Sequence, residues 1–220
     1  MAKKIKKGLF LTFEGPEGSG KSTHSARLTE DLRADGFDVI HTAEPGGTAL
    51  GDRIRDILLV RDEISLGKNA ELFLFEADRA QHVEELIRPA VESGKIVICD
   101  RFNTATFAYQ GYGLGMDMGL IRMIDSAATG GLSPDMTLLL DVDIATGLSR
   151  ACSEHAADRM EKRNVEFHKR VRAGYLSLAK IFPDRIKVVQ VTGDIEETYC
   201  IVKEKIYGFI AGYKRAGHGG

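Results

Sequence analysis

Gly15-Pro16-Glu17-Gly18-Ser19-Gly20-Lys21-Ser22-Thr23 decides the fold through what stands on either side of it. Before it runs Gly8-Leu9-Phe10-Leu11-Thr12-Phe13, short and apolar; after it, near His24, helical spacing begins. Strand, glycine-rich turn and helix in that order are the setting of a phosphate-binding loop. Glycines let several backbone N–H groups close on a phosphate without Cβ atoms in the way. The helix N-terminus adds partial positive charge. Lys21 would then reach the β- and γ-phosphates of a nucleoside triphosphate, and the Ser22 hydroxyl would sit on Mg²⁺.

Outward from this loop, apolar runs at 9–13, 37–41, 96–99, 136–140 and 186–191 are predicted strands. Helical spacing covers 24–36, 50–60, 69–92, 104–109, 117–128, 144–152, 165–182 and 195–213, with Pro89 expected to bend or shorten the third of these. Residues 111–115 are glycine-rich, 153–164 are charged and weakly periodic, and the tail at 215–220 is expected to be disordered. Strands alternating with helices, without repeat or composition break, predict one domain over 1–220. The predicted architecture is α/β in three layers, a five-stranded parallel sheet with helices on both faces. Ligands gather at the carboxyl ends of such strands. There stand Glu14 to Ser22, Glu44 to Thr48, Asp100-Arg101 and Asp141.

A net charge of −2 gives no field that would select nucleic acid or a membrane. Cys99, Cys152 and Cys200 lie far apart, without metal-ligand spacing, which suits a reduced cytoplasm. The basic start, Lys3-Lys4-Ile5-Lys6-Lys7, precedes an apolar run too short for a signal peptide, and nothing approaches a membrane span.

A phosphate loop alone leaves ATPase, GTPase, kinase and passive binder open, although the Asn-Lys-x-Asp guanine reader of a GTPase is missing. The other polar groups suit a second phosphorylated ligand. Arg55, Arg79 and Arg101 come from three segments, and guanidinium offers planar, permanent donation to phosphate. A single arginine is more often a solvated face, but Arg101 directly follows a buried strand and an Asp. Phe75 and Arg79, one helical turn apart, could stack on a base and donate to its edge, although Phe75 alone would pass for ordinary core. Asp100 is a candidate for holding Mg²⁺ through water or orienting Arg101. Glu14, against the phosphate turn, could fix a metal water or a sugar hydroxyl, or pair with Lys21.

Over essentially its whole length the chain resembles thymidylate kinases of the bacterial type, P-loop nucleoside monophosphate kinases. The resemblance rests on Phe13-Glu14-Gly15 running into Gly20-Lys21-Ser22-Thr23, Glu44-Pro45-Gly46-Gly47-Thr48, Arg55, Phe75 with Arg79, Asp100-Arg101 and Ala108-Tyr109-Gln110-Gly111. Pro134-Asp135 before Thr137-Leu138-Leu139-Leu140-Asp141, and Asp158-Arg159, complete it. It implies a P-loop NTP hydrolase-like fold, usually a homodimer, that transfers the ATP γ-phosphoryl group to dTMP with Mg²⁺. By position it implies that Gly15, Pro16, Glu17, Gly18, Ser19, Gly20, Lys21, Ser22 and Thr23 hold ATP, with Arg150 over the adenine. Phe75 would stack on thymine and Arg79 donate to its carbonyl. Arg55 and Arg101 would hold the acceptor phosphate, and Tyr109 and Gln110 would line the substrate pocket. Glu14 would lie near the sugar 3′-hydroxyl and the metal waters, and 153–164 would be a mobile lid.

The chain departs from the family in its lid and near its acceptor site. Position 18 is Gly, as expected of a type that keeps its extra arginines in the lid, yet two lid positions often arginine are Cys152 and Glu154. Arg150, Arg159, Lys162 and Arg163 remain. An arginine at the transferring phosphoryl group is worth roughly 10³–10⁵ in rate, about 4–7 kcal/mol of barrier, and Arg159 is expected to supply it. Ala43, Ala105, Phe107 and Leu114 replace residues commonly polar in the family and put base selectivity in question. The alternatives are a related pyrimidine monophosphate kinase, acting on dUMP or similar, and a nucleotide-binding protein with weak turnover. A P-loop ATPase acting on protein or nucleic acid is third, and near-neutral charge gives it no support.

Overall fold

The computed structural model describes residues 8–60, 64–154 and 158–213, and the side chains of Cys152 and Glu154 are not among what it describes. The expected tail at 215–220 and part of the expected lid fall outside it. Strand β1, Leu9–Glu14, is buried along its whole length. With β2 (Val39–Ala43), β3 (Ile96–Asp100), β4 (Met136–Asp141) and β5 (Ile186–Gln190) it forms a parallel sheet in the order β2-β3-β1-β4-β5. Leu9 pairs with Ile96 on one side, and Leu11 with Met136 on the other. The strand order reverses at β1, so the crevice beyond its carboxyl end is where a ligand is expected.

Strand alternation decides which helices cover which face. Leu9, Leu11 and Phe13 pack with α1 (Lys21–Ala34) and α9 (Ile195–Tyr213). On the other face, Phe10 joins the cluster under Val83, Ile87 and Val91, while Leu139 joins Phe167, Val171 and Tyr175 of α8 (Val165–Ile181). The predicted layers and the parallel sheet are those observed. Among the described residues no helix is long and apolar enough to cross a membrane.

Three element boundaries differ from expectation for local reasons. Strand β2 starts two residues late because Phe37 N closes a turn onto Leu32 O through Gly36, which has φ 87°. The 69–92 helix is α3 (Lys68–His82), a wide π-helical turn (Val83–Ile87) and α4 (Arg88–Glu92). Pro89, which lacks an N–H, falls just beyond that wide turn and does not end the helix. Helix α5 (Asn103–Thr106), predicted to end at 109, likewise runs on as a π-helical stretch, Phe107–Gly113, into the glycine-rich residues. These glycines are there for close packing. A Cβ on Gly113 would come within 2.6 Å of the Phe167 ring, and one on Gly111 within 2.7 Å of Met118 Sδ. The other helices the site uses are α2 (Ala49–Arg55), extended by a π turn at Asp56–Val60, α6 (Met118–Thr129) and α7 (Ile144–Glu154).

Candidate active site

Loop 15–20 closes against two neighbours that leave no room for side chains. A Cβ on Gly15 would lie 2.3 Å from Leu140 O, and one on Gly18, at φ 62°, would lie 2.0 Å from Gly147 O of α7. Gly147 is equally tight against Glu17 O, at 2.4 Å. A basic residue at position 18 is therefore excluded by backbone packing. Lys21 is buried, and its Nζ donates to Pro16 O (2.8 Å) and Ser19 Oγ (3.3 Å). Burial, then the nearby Arg101 charge, lowers its pKa to about 8.

At the tip of β3, Asp100 accepts a hydrogen bond from the Ser22 hydroxyl through Oδ2, while its buried Oδ1 has no partner. An orphaned carboxylate oxygen beside a loop serine is a donor pair that suits a hard cation such as Mg²⁺. The next residue, Arg101, has φ 69°, a left-handed conformation costing a side-chain-bearing residue roughly 1–2 kcal/mol. Glu14 holds this bend. Its Oε1 accepts from Phe102 N (2.9 Å) and Ala105 N (3.2 Å), and its Oε2 from Tyr175 OH (2.9 Å). Burial raises the Glu14 pKa to about 7 against the pull of Arg101.

The Arg101 side chain turns back over the phosphate loop. Its Nη2 pairs with Glu17 Oε2 at 2.6 Å, and its Nη1 approaches Gly15 O (3.3 Å), Tyr109 OH (3.3 Å) and Tyr175 OH (3.4 Å). Glu17 also accepts from Tyr109 OH at 2.6 Å. Burial opposes the Glu17 charge, but Arg101, Lys21 and Tyr109 together outweigh it and bring the pKa down to about 2.

Arg79 is 2% exposed and held from several directions. Its Nε donates to Glu44 Oε2 (2.9 Å), and its Nη1 donates to Glu76 Oε1 (2.5 Å) and Thr106 Oγ1 (3.0 Å). His82 Nδ1 lies 3.0 Å from the other Glu44 oxygen, and Thr42 Oγ1 lies 2.8 Å from His82 Nε2. Glu44, His82 and Cys99 come within 4.8 Å of one another, but the cation on this carboxylate is the arginine. Burial pushes the Cys99 thiol pKa up, and the thiol donates to Arg101 O at 3.0 Å.

These groups share one cavity of about 690 Å³. Residues 17–23 of the loop line it, together with Arg55, Phe75, Arg79, Asp100, Arg101, Tyr109, Gln110 and Arg150. Arg55 is exposed, with Nη1 on Pro45 O at 2.7 Å, and Phe75 is half-buried. Two expected site residues are elsewhere. Glu14 is fully buried beneath the floor, its oxygens taken by backbone and Tyr175, so in this geometry it reaches neither a sugar nor a metal water. Arg159 does not line the cavity; its Nη1 donates to Ile64 O (2.6 Å) and its Nη2 to Ile57 O (3.5 Å). It lines a separate recess with Lys162 and Arg163. Of the four departures, Ala43 and Ala105 line the cavity, whereas Phe107 and Leu114 pack in the α8 cluster.

Two features went unseen in the sequence. Glu17, expected only among the ATP-holding residues, bridges to Arg101 and Tyr109. The loop after β5, Val191, Thr192 and Gly193, lines the cavity, as Arg150 does. The strand-end rule applied to the fifth strand, as to the first four, would have found it.

Residues 13–200 match the family model for thymidylate kinase. The thymidylate kinase of Desulfovibrio desulfuricans is 45% identical over 218 residues, covering 96% of this chain and 99% of that one. That of Halothermothrix orenii is 50% identical over 205 residues, covering 92% and 98%. The crystal structure of thymidylate kinase from Ehrlichia chaffeensis superposes with a TM-score of 0.75 at 35% identity, covering 91% of this chain and 99% of that one. By model, relatives and architecture alike, the chain belongs to the thymidylate kinase family.

Proposed function

We propose that this chain transfers the γ-phosphoryl group of ATP to dTMP, giving ADP and dTDP. The observation that carries this is one continuous cavity joining a phosphate loop to a second cationic pocket with an aromatic wall. ATP lies along residues 15–23, its adenine between Arg150 and Thr192-Gly193. Phe75 stacks on the thymine and Arg79 donates to its 4-carbonyl. Tyr109 packs against the deoxyribose. Glu17, beside it, accepts from the 3′-hydroxyl, a role that Glu14 is too buried to take.

The acceptor phosphate is itself the nucleophile. One of its oxygens bonds to the γ-phosphorus as the bond to the ADP oxygen breaks, so the protein's work is alignment and charge neutralisation. Arg101 and Arg55 hold the acceptor phosphate in line, and Lys21 swings from Pro16 O onto the β- and γ-phosphates. Ser22 Oγ and Asp100 Oδ1 are the groups that would hold Mg²⁺. When bound, that ion neutralises charge on the donor phosphates. Arg159 leaves Ile64 O and reaches the γ-phosphoryl group when the lid at 153–164 closes, excluding water that would waste ATP.

We place this chemistry in the cytoplasm and infer a homodimer through the face of α3 and α6, where Phe73 (54% exposed) and Met123 (64%) lie bare. A monomer mass by sedimentation at micromolar concentration removes the dimer. Coupled ADP release with ATP and Mg²⁺ over dTMP, dUMP, UMP, dCMP and dAMP tests the reaction. Steady turnover highest on dTMP is expected; a higher kcat/KM on another monophosphate, or none on any, refutes the assignment.

A further inference from the structure

Gln110 reaches the cavity from the helix after Arg101, and its amide is not free to turn. Its Nε2 donates to Glu71 Oε1 at 3.0 Å, and Glu71 Oε2 accepts from Arg163 Nη2 at 2.6 Å. Glu71 and Gln110 are each 2% exposed. An ion-paired carboxylate offers acceptors only, so the Gln110 amide must put its NH₂ toward Glu71. Its carbonyl oxygen then faces the other way. Among the described residues no donor meets that oxygen, and Gln110 lines the cavity beside Arg79 and Thr106.

We infer that Glu71 is a positioning residue for base selection, fixing the Gln110 amide so that the pocket presents an acceptor beside the Arg79 donor. The inference rests on the proposed monophosphate kinase reading. Thymine and uracil carry the complementary pattern, a donor at N3–H and an acceptor at O4. Cytosine carries the reverse. Its N3 lone pair would meet the Gln110 carbonyl, and its amino group would meet a guanidinium that has no acceptor to offer. A buried polar group left facing its own kind is the most effective way for a site to reject a near-isostere. Arg163, at the end of the lid segment, compensates the charge of this buried carboxylate without itself lining the cavity.

Glu71→Gln tests this. The replacement keeps the shape but can either donate or accept, so the Gln110 amide gains the flipped state. The kcat/KM ratio of dTMP over dCMP is expected to fall by about 10- to 100-fold. The ratio of dTMP over dUMP is expected to stay within about twofold, because both bases show the same edge. The double variant Glu71→Met with Arg163→Met removes the acceptor together with its counter-ion, leaving no buried charge unpaired and the cavity lining untouched; it should shift the dTMP/dCMP ratio the same way, and it decides the matter if Glu71→Gln does not fold. A folded variant with an unchanged dTMP/dCMP ratio overturns the inference, as does an equal loss on dTMP, dUMP and dCMP. A wild type that turns over none of the three instead refutes the kinase reading on which the inference rests.

Discussion

Replacing Glu17 with glutamine separates the donor half of the cavity from the acceptor half. By position Glu17 belongs to the ATP loop, but its carboxylate points at Arg101 Nη2 and Tyr109 OH, both at 2.6 Å. Glutamine keeps one acceptor oxygen. It loses the negative charge and turns an NH₂ toward one of two donors. A hydrogen bond to a charged group is worth about 1.5–3 kcal/mol, and the amide now facing a donor adds to the loss. A total near 2–3 kcal/mol corresponds to roughly 30- to 150-fold in kcat/KM.

The expected outcome is that fall for dTMP in steady-state assays at saturating ATP. The KM for ATP should change by less than about threefold, because Lys21 and the loop N–H groups are untouched. A raised KM for ATP with dTMP kinetics intact would return Glu17 to the donor site and refute the argument. A lower KM for dTMP would also refute it, because the freed Arg101 would then bind phosphate better without its carboxylate than with it.

Glu14→Gln should flatten part of the pH dependence of folding. The Glu14 pKa is raised to about 7 in the fold from 4.5, so its favourable contribution is complete below pH 4.5 and lost as pH rises through 7. That amounts to about 3 kcal/mol between the two limits, read as the wild-type-minus-variant difference in urea unfolding at pH 5 and pH 8; equal differences at both pH values reject it. Gly18→Ala should cost about 2–4 kcal/mol in the same assay, combining a left-handed φ with a Cβ forced against Gly147 O, and a cost below about 0.5 kcal/mol would deny that contact. Arg159→Ala should lower kcat by about 10³-fold with little change in either KM; a wild-type kcat would leave Arg159 without a part in the chemistry.

Where each conclusion was legible in the sequence depends on how far apart its residues lie along the chain. The central strand, the phosphate loop and the Asp100-Arg101 tip are local patterns, and hydrophobic period with turn chemistry locates them. Alternation along β1 turns Glu14 away from the face Phe13 shares with α1, but that Tyr175 waits there is a contact across 161 residues. Glu17 escapes for a different reason. Its direction depends on a tight turn whose neighbours, Gly147 and Leu140, come from later elements. The glycines at 111 and 113 were not legible as helix, because glycine ordinarily signals a loop, whereas here it leaves room for the Phe167 ring and Met118 where a Cβ would clash. The Glu44–Arg79 pair likewise joins a strand tip to a helix 35 residues away.

The partners these cations hold sort them by task. Lys21 rests on Pro16 O and Ser19 Oγ, and Arg55 on Pro45 O. Neutral carbonyls and hydroxyls position a cation, but a phosphate oxygen, whose charge-assisted bond is about twice as strong, outcompetes them. Both are therefore aimed yet available. Arg79 is bound to two carboxylates in a site 2% exposed, so no substrate phosphate can draw it away; it remains a fixed donor suited to a neutral base. Arg101 falls between, with one carboxylate on Nη2 and only long, neutral contacts on Nη1. A phosphate can take Nη1 while Glu17 keeps Nη2, so that guanidinium can serve the acceptor phosphate and remain anchored to the ATP loop, coupling the two halves that must meet in line.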